Sequence, residues 1–136
     1  MKYYAVIDTN VLVSSLLNHS SVPGILIKCV GSGKLIPVIN GEIAEEYREV
    51  LHRDKFHFDK ELLEQFLDTF FKCAVWTISG ETDELFPDPD DAVFYTVTMN
   101  SREENNTYLV TGNIKHFPQK PFVVTPREML DIIEDT

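Results

Sequence analysis

The sequence has few cysteines and no long hydrophobic run. Its two cysteines, Cys29 and Cys73, form no CxxC or similar spacing, so neither a zinc knuckle nor a disulfide framework is indicated. We expect free, buried thiols in a reducing compartment. No stretch reaches the roughly 18 apolar residues of a membrane span, and the first apolar run is too short for a signal-peptide core. We therefore expect a cytoplasmic protein without a membrane partner.

Basic residues are also scarce. The 136 residues include 12 lysines and arginines against 22 acids, a formal charge of −10. This charge repels phosphate backbones at long range. It disfavours a module that binds nucleic acid through a basic surface alone, but not an enzyme that uses metal ions to make the contact. Hydrophobic residues make up 43%, which excludes a wholly disordered chain. The length predicts a single domain, residues 1–136.

Short apolar runs predict strands, and amphipathic or capped segments predict helices. The predicted strands are residues 3–7, 35–39, 74–78, 108–111 and 122–125. The predicted helices are residues 11–17, 22–30, 41–51, 62–71, 90–99 and a last one that begins at Pro126. Pro37 predicts that the second strand is irregular or at an edge. Unbroken apolar strands that alternate with helices predict an α/β fold, with a parallel sheet covered on both faces.

Acidic residues stand at predicted junctions between elements. Asp8 directly follows the first strand, at the edge where parallel α/β sheets bind ligands, although it could instead cap the next helix. Asp88 and Asp91 open the fifth predicted helix, where capping again competes with a functional role. Glu46 flanks the apolar face of the third predicted helix, while the other glutamates of that helix turn towards solvent. The alternative is that all four glutamates form a solvated face.

Thr111 and Asn113 follow the fourth predicted strand. The glycine between them suits a simple turn, but their oxygens could also bind a cation or orient the acids. Asp8, Glu46, Asp91 and Asn113 belong to four separate elements and can meet only through the fold. Such oxygen clusters suit Mg²⁺ or Mn²⁺. A cation removes the repulsion between close carboxylates and can activate water for attack on a phosphodiester.

Four segments resemble, in order, the motifs of the PIN-domain family of metal-dependent nucleases. They are residues 6–12 (VIDTNVL), 45–56 (EEYREVLHRDKF), 88–94 (DPDDAVF) and 109–117 (LVTGNIKHF). Within the family, the chain looks most like the VapC-type toxins of toxin–antitoxin systems. The resemblance implies a three-layer α/β/α sandwich with a mainly parallel sheet. It also implies a Mg²⁺ or Mn²⁺ site, cleavage of RNA, a homodimer and an antitoxin protein as a partner.

The resemblance also implies roles for individual residues. The acids implied to bind metal and act in catalysis are Asp8, Glu46 and Asp91. Asn10 and Thr111 match polar residues that support the site. Many family members carry Asp where this chain has Asn113, which supplies an oxygen ligand without a charge. Asp88 is a candidate to replace that missing carboxylate as a metal ligand.

Substrate binding by an acidic protein requires local cations. We hypothesise that Lys115 and Arg53 contact substrate phosphates; the simpler interpretation is that they are ordinary surface residues. The acidic surface and Asn113 favour a second function, a catalytically weak PIN fold that binds another protein. A haloacid-dehalogenase-type phosphatase is disfavoured, because Asn10 stands where that family needs a second Asp. The sequence leaves open whether large side chains such as Trp76 belong to the core or to an interface.

Overall fold

The computed structural model describes residues 2–78 and 86–135. The strands are β1 (Tyr3–Ile7), β2 (Leu35–Ile39), β3 (Val75–Trp76), β4 (Thr107–Val110) and β5 (Val123–Val124). The helices are α1 (Thr9–Leu17), α2 (Val22–Gly31), α3 (Gly41–Leu51), α4 (Lys60–Cys73), α5 (Ala92–Ser101) and α6 (Pro126–Glu134). Short 3₁₀ turns occur at Asp54–Phe56, Pro89–Asp91 and Ile114–His116.

The five strands form one parallel sheet in the order β3-β2-β1-β4-β5. The chain moves outwards from β1 to β3 and then returns to β4 on the other side of β1. The strand order therefore reverses between β1 and β4. Helix α5 packs against β1, β2 and β4, whereas α2 packs against β2 and α6. Right-handed crossovers put α5 and α2 on opposite faces, which confirms the predicted α/β/α sandwich with a parallel sheet.

The sheet is buried because its strands are apolar on both faces. Ala5, Val6 and Ile7 of β1 are fully buried, as are Leu109 and Val110 of β4. Burying an aliphatic side chain of this size contributes about 1.5–3 kcal/mol relative to leaving it exposed. The rigid centre of the fold therefore lies directly behind the carboxyl ends of β1 and β4.

Two predicted details of the elements are wrong. Strand β2 lies between β1 and β3 rather than at an edge. Pro37 is tolerated there because β3 pairs only from Val38 onwards, so no ladder on that side needs the missing N–H. The fifth helix does not begin at Asp90, because the 3₁₀ turn Pro89–Asp91 precedes α5.

The cysteines and large aromatic residues divide between core and surface. Both cysteines are free, but Cys29 is only half-buried and Cys73 is exposed, so the expectation of buried thiols is wrong for Cys73. Phe70 is buried in the core, Phe71 is half-buried and Trp76 is 53% exposed. Within residues 2–78 and 86–135, no helix combines the length and the apolar character that crossing a membrane requires.

Candidate active site

Asp8 lies immediately beyond β1, where the strand order reverses. Its backbone N–H donates to the carbonyl of Val110 at 2.9 Å, so the β1–β4 ladder continues to the site. Asp8 is only 5% exposed, and its Oδ2 accepts a hydrogen bond of 2.7 Å from the hydroxyl of Thr111. Asp8 occupies the N-cap position of α1 but makes no well-formed side-chain capping bond. Burial has the largest effect on its pKa and raises it, whereas the Thr111 hydroxyl and, more weakly, the backbone N–H groups of Thr9 and Asn10 lower it. Capping alone therefore does not account for this buried acid.

Thr111 is oriented from its other side by the chain that follows β4. The backbone N–H of Asn113 donates to the Thr111 hydroxyl oxygen at 2.9 Å. Because that oxygen accepts from Asn113, its own proton is directed to Asp8. Thr111 thus positions the Asp8 carboxylate, and the contribution of Asn113 to this contact comes from its backbone.

Glu46 reaches the same edge because α3 begins where β2 ends. The side chain of Asn40 caps α3 by accepting the N–H of Ile43 at 2.9 Å. The fully buried Tyr47 donates its hydroxyl to the carbonyl of Ile7, which ties α3 to the end of β1. The neighbouring Glu46 is half-buried and accepts a hydrogen bond from the Thr9 hydroxyl. Glu46 therefore faces the first turn of α1 rather than bulk solvent.

Asp88 and Asp91 have different environments although they share one 3₁₀ turn. Asp88 is exposed and caps the turn by accepting the N–H of Asp90 at 3.0 Å. Asp91 makes no capping bond, and its buried Oδ2 has no hydrogen-bond partner in the described part of the chain. This oxygen lies 3.4 Å from Nδ1 of His116. The capping interpretation accounts for Asp88 and leaves Asp91 unexplained.

The buried Asp8 interacts electrostatically with the partly buried Glu46 and Asp91. Burial raises the pKa of Asp8. Burial also raises the pKa of Glu46, and the charges of Asp8, Asp90 and Asp91 raise it further. The pKa of Asp91 is raised by burial and by Asp8 and Asp88. Since the charge of Asp8 raises the pKa of both Glu46 and Asp91, the fold brings the negative charges of three separate segments together at this edge of the sheet.

A divalent cation suits this donor set. Carboxylate oxygens are the ligands that Mg²⁺ and Mn²⁺ prefer, and a cation would relieve both the mutual repulsion and the unpartnered oxygen of Asp91. Among residues 2–78 and 86–135, no three His, Cys, Asp or Glu side chains are placed to hold a metal ion as they stand. Binding an ion here would therefore require the carboxylates to move.

The remaining predicted residues contact the site less directly or not at all. Asn10 is exposed on the first turn of α1, and Lys115 is exposed beside His116. Arg53 is exposed and holds Glu49 through two hydrogen bonds of 2.9 and 3.2 Å. The backbone N–H of Asn10 acts on the Asp8 carboxylate, but its side chain has no described contact with the three acids, and neither has Arg53.

Sequence reasoning missed three residues that contact or support the acids: Thr9, Tyr47 and His116. Thr9 adjoins Asp8, but its partner on α3 is not evident from spacing. Tyr47 belongs to the apolar face of α3 by its spacing, and its hydroxyl gives no periodic signal. His116 lies three residues after Asn113, which was the only local indication that it approaches the site.

Comparison with known proteins identifies the family. A search of curated proteins and a search of solved structures each gave no match. The model of the PIN domain matches residues 4–115, which include Asp8, Glu46 and Asp91. PIN domains are generally nucleases, and they generally use divalent metal ions. Because the matched segment covers most of the chain, this protein belongs to the PIN-domain family.

Proposed function

We propose that this protein is a Mg²⁺- or Mn²⁺-dependent endoribonuclease that acts as the toxin of a toxin–antitoxin pair. One observation carries the proposal. Asp8, Glu46 and Asp91 belong to three separate segments of a PIN domain, yet burial raises the pKa of all three, and the charge of Asp8 raises the pKa of Glu46 and Asp91 further. An acidic cluster of this kind weakens the metal-free fold, so it calls for a function that uses the charge.

These three acids would hold the cation, with the side chain of Asn113 and the carboxylate of Asp88 as further oxygen donors. When bound, such an ion activates water and stabilises charge on a phosphodiester. Thr111 keeps the Asp8 carboxylate in one orientation, and Tyr47 keeps α3 against β1. Site geometry is therefore supported by groups that need not touch the substrate.

The choice of RNA and of the toxin role rests on the motifs that resemble VapC-type toxins. On the same basis we propose a homodimer and an antitoxin protein as a partner. The exposed Lys115, two residues after Asn113 and next to His116, is the first proposed phosphate contact. Arg53 is the second proposed contact.

The test is cleavage of a pool of single-stranded and structured RNAs with Mn²⁺, with Mg²⁺ and with chelator. Asp8→Asn keeps an oxygen that can accept from Thr111, so it removes charge without removing the hydrogen bond. Asp68→Asn is the matched control, because Asp68 is exposed on α4. We expect metal-dependent cleavage that Asp8→Asn abolishes and Asp68→Asn retains. Equal cleavage by the three proteins would show a contaminating nuclease and contradict the proposal.

A catalytically weak PIN fold that binds another protein is the second candidate. It is favoured by the finding that no three described acids or histidines are placed to hold a metal ion. Titration with Mn²⁺ separates the two functions, because a binding-only protein has no need to hold metal at Asp8. Absence of both cleavage and Asp8-dependent Mn²⁺ binding would favour this second candidate.

A further inference from the structure

A second candidate site lies where α3 is joined to α4. A cavity of about 440 Å³ opens here, with Leu51 and Leu63 among its lining residues. Pockets for small molecules and cofactors span about 300–1,000 Å³, so a single nucleotide fits this space. Leu51 follows Glu46 by five residues on α3, about 8 Å along the helix axis. The cavity is thus separate from the buried acids but shares a helix with them.

The cavity is lined by cationic groups in a chain that is otherwise acidic. Residues 48–60 contain a third of all lysines and arginines in the sequence. Arg53 and Lys60 line the cavity, opposed by the single acid Asp54. Lys60 has no ion-pair partner within the described residues, and Glu49 engages Nε and Nη2 of Arg53. The ammonium of Lys60 and Nη1 of Arg53 are therefore left for an anion.

His57 provides a further polar group on the cavity wall. It adopts φ 53° and ψ 32°, and it is the one non-glycine residue with positive φ in the described segments. A glycine would adopt this left-handed conformation without steric cost. The chain instead carries an imidazole there, whose ring has no partner among the described residues. Strained backbone of this kind is a recognised indicator of a functional side chain.

Aromatic rings complete the cavity. Phe58 lines it, and the ring of Phe58 stacks on that of Phe56, with centroids 5.6 Å apart and planes at 17°. Cations combined with aromatic rings are the usual way in which proteins bind single-stranded nucleic acid without reading its sequence. The lining thus pairs groups for a phosphate with a ring for a base.

We propose that this cavity binds one nucleotide of a single-stranded RNA and thereby anchors the substrate of the carboxylate site. Lys60 and Arg53 contact the phosphate, His57 donates a hydrogen bond and Phe58 packs against the base. The proposal rests on the proposed ribonuclease function for its choice of ligand. Its binding chemistry is independent of Asp8, Glu46 and Asp91.

The test is fluorescence anisotropy of a labelled oligouridylate of about ten nucleotides, measured in chelator so that no cleavage occurs. His57→Gly suits the backbone and removes only the ring, so this variant should fold like the wild type. Lys60→Ala places a good helix former at the first position of α4. Lys72→Ala, exposed at the far end of the same helix, is the matched control.

We expect the double variant His57→Gly/Lys60→Ala to raise Kd about tenfold and Lys72→Ala to leave it unchanged. Lys60→Ala alone should reduce the slope of log K against log salt by about 0.7, the value for one phosphate contact on a single strand. Equal weakening by Lys72→Ala, or no weakening by the double variant, would overturn the proposal. Titration with uridine 5′-monophosphate is a separate arm. Binding of that mononucleotide without the oligonucleotide would overturn the assignment to RNA.

The two proposals can fail separately. Asp8→Asn should bind the oligonucleotide as tightly as the wild type in chelator. If cleavage depends on metal but binding does not depend on His57 or Lys60, the proposal that the cavity binds RNA is overturned and the ribonuclease proposal is retained. If binding depends on His57 and Lys60 but no cleavage is seen, the proposal that the cavity binds RNA is retained and the ribonuclease proposal is overturned.

Discussion

The starts of α5 and α6 share one sequence pattern and have opposite outcomes. Each has a capping residue, a proline next to it and an acid three positions on: Asp88-Pro89-Asp90-Asp91 and Thr125-Pro126-Arg127-Glu128. At α6, the Thr125 hydroxyl accepts the N–H of Glu128 at 3.1 Å, and the Glu128 carboxylate accepts the N–H of Thr125 at 2.9 Å. At α5, Asp91 forms no such bond, and the group that approaches its Oδ2 in the described part of the chain is His116, with Nδ1 at 3.4 Å.

The difference teaches what a capping pattern can and cannot explain. Asp is one methylene shorter than Glu, and the turn at α5 is 3₁₀ rather than α, so Asp91 does not close a capping box. Asp91 instead lies within the field of Asp8 and beside His116. An acid at a helix start that satisfies no backbone donor is the better candidate for function.

The rate of RNA cleavage should show the largest difference between substitutions at Asp91 and at Glu128. Asp91→Asn should lower metal-dependent RNA cleavage by at least about a hundredfold, as expected for loss of a charged group that acts on the transition state. Glu128→Gln, at the equivalent position of α6, should leave cleavage unchanged. Initial rates at saturating Mn²⁺ measure both. Similar rates for the two variants would remove Asp91 from the proposed site.

Stabilisation by Mn²⁺ should show the next largest difference between substitutions at Asp91 and at Glu128. At a Mn²⁺ concentration about a hundred times Kd, binding adds about 2.7 kcal/mol to the free energy of unfolding. For a domain of this size, that corresponds to a rise in Tm of roughly 10 °C. We expect this rise in the wild type and in Glu128→Gln, and little rise in Asp91→Asn. Thermal scans with and without Mn²⁺ check it, and a full rise in Asp91→Asn would contradict the assignment.

The pH dependence of stability in chelator gives a smaller difference. Because the pKa of Asp91 is raised in the folded protein, the folded state holds this proton more tightly than the unfolded state. The wild type should therefore lose stability as pH rises above the ordinary value near 3.8. Asp91→Asn lacks this loss. Its free energy of unfolding should therefore exceed that of the wild type by about 1 kcal/mol at neutral pH. Urea unfolding from pH 4 to 7 measures it, and a constant difference would argue against a buried, repelled charge.

The capping box should give the smallest effect. Glu128→Ala should lower the free energy of unfolding by about 0.5 kcal/mol, the low end of the range for lost caps. Its Mn²⁺ binding and cleavage should match those of the wild type. Urea unfolding at neutral pH gives the comparison. A change in Mn²⁺ affinity would mean that α6 communicates with the acids, against the contrast drawn between the two helix starts.

The fold class could be predicted because its signals are local. Apolar runs marked the strands, and the acid at position 8 followed β1 as its position in the sequence suggested. Pro37 led to a wrong prediction for β2. Whether that strand lies at an edge depends on its pairing with β3, which is far away in the sequence. Cys73 misled for a similar reason, since exposure on α4 depends on which neighbours cover it.

The sequence by itself determined the elements, the parallel α/β class and the short list of acids, because hydrophobic period and turn chemistry act over a few residues. Only the tertiary structure decided that Asp88 caps its turn, whereas Asp91 makes no capping bond and lies within the field of Asp8. It also decided that the Tyr47 hydroxyl and Thr111 hold the site together. The bond of Tyr47 spans 40 positions of the sequence, and that of Thr111 spans 103. Contacts at such separations follow from the packing of the whole chain rather than from any local pattern.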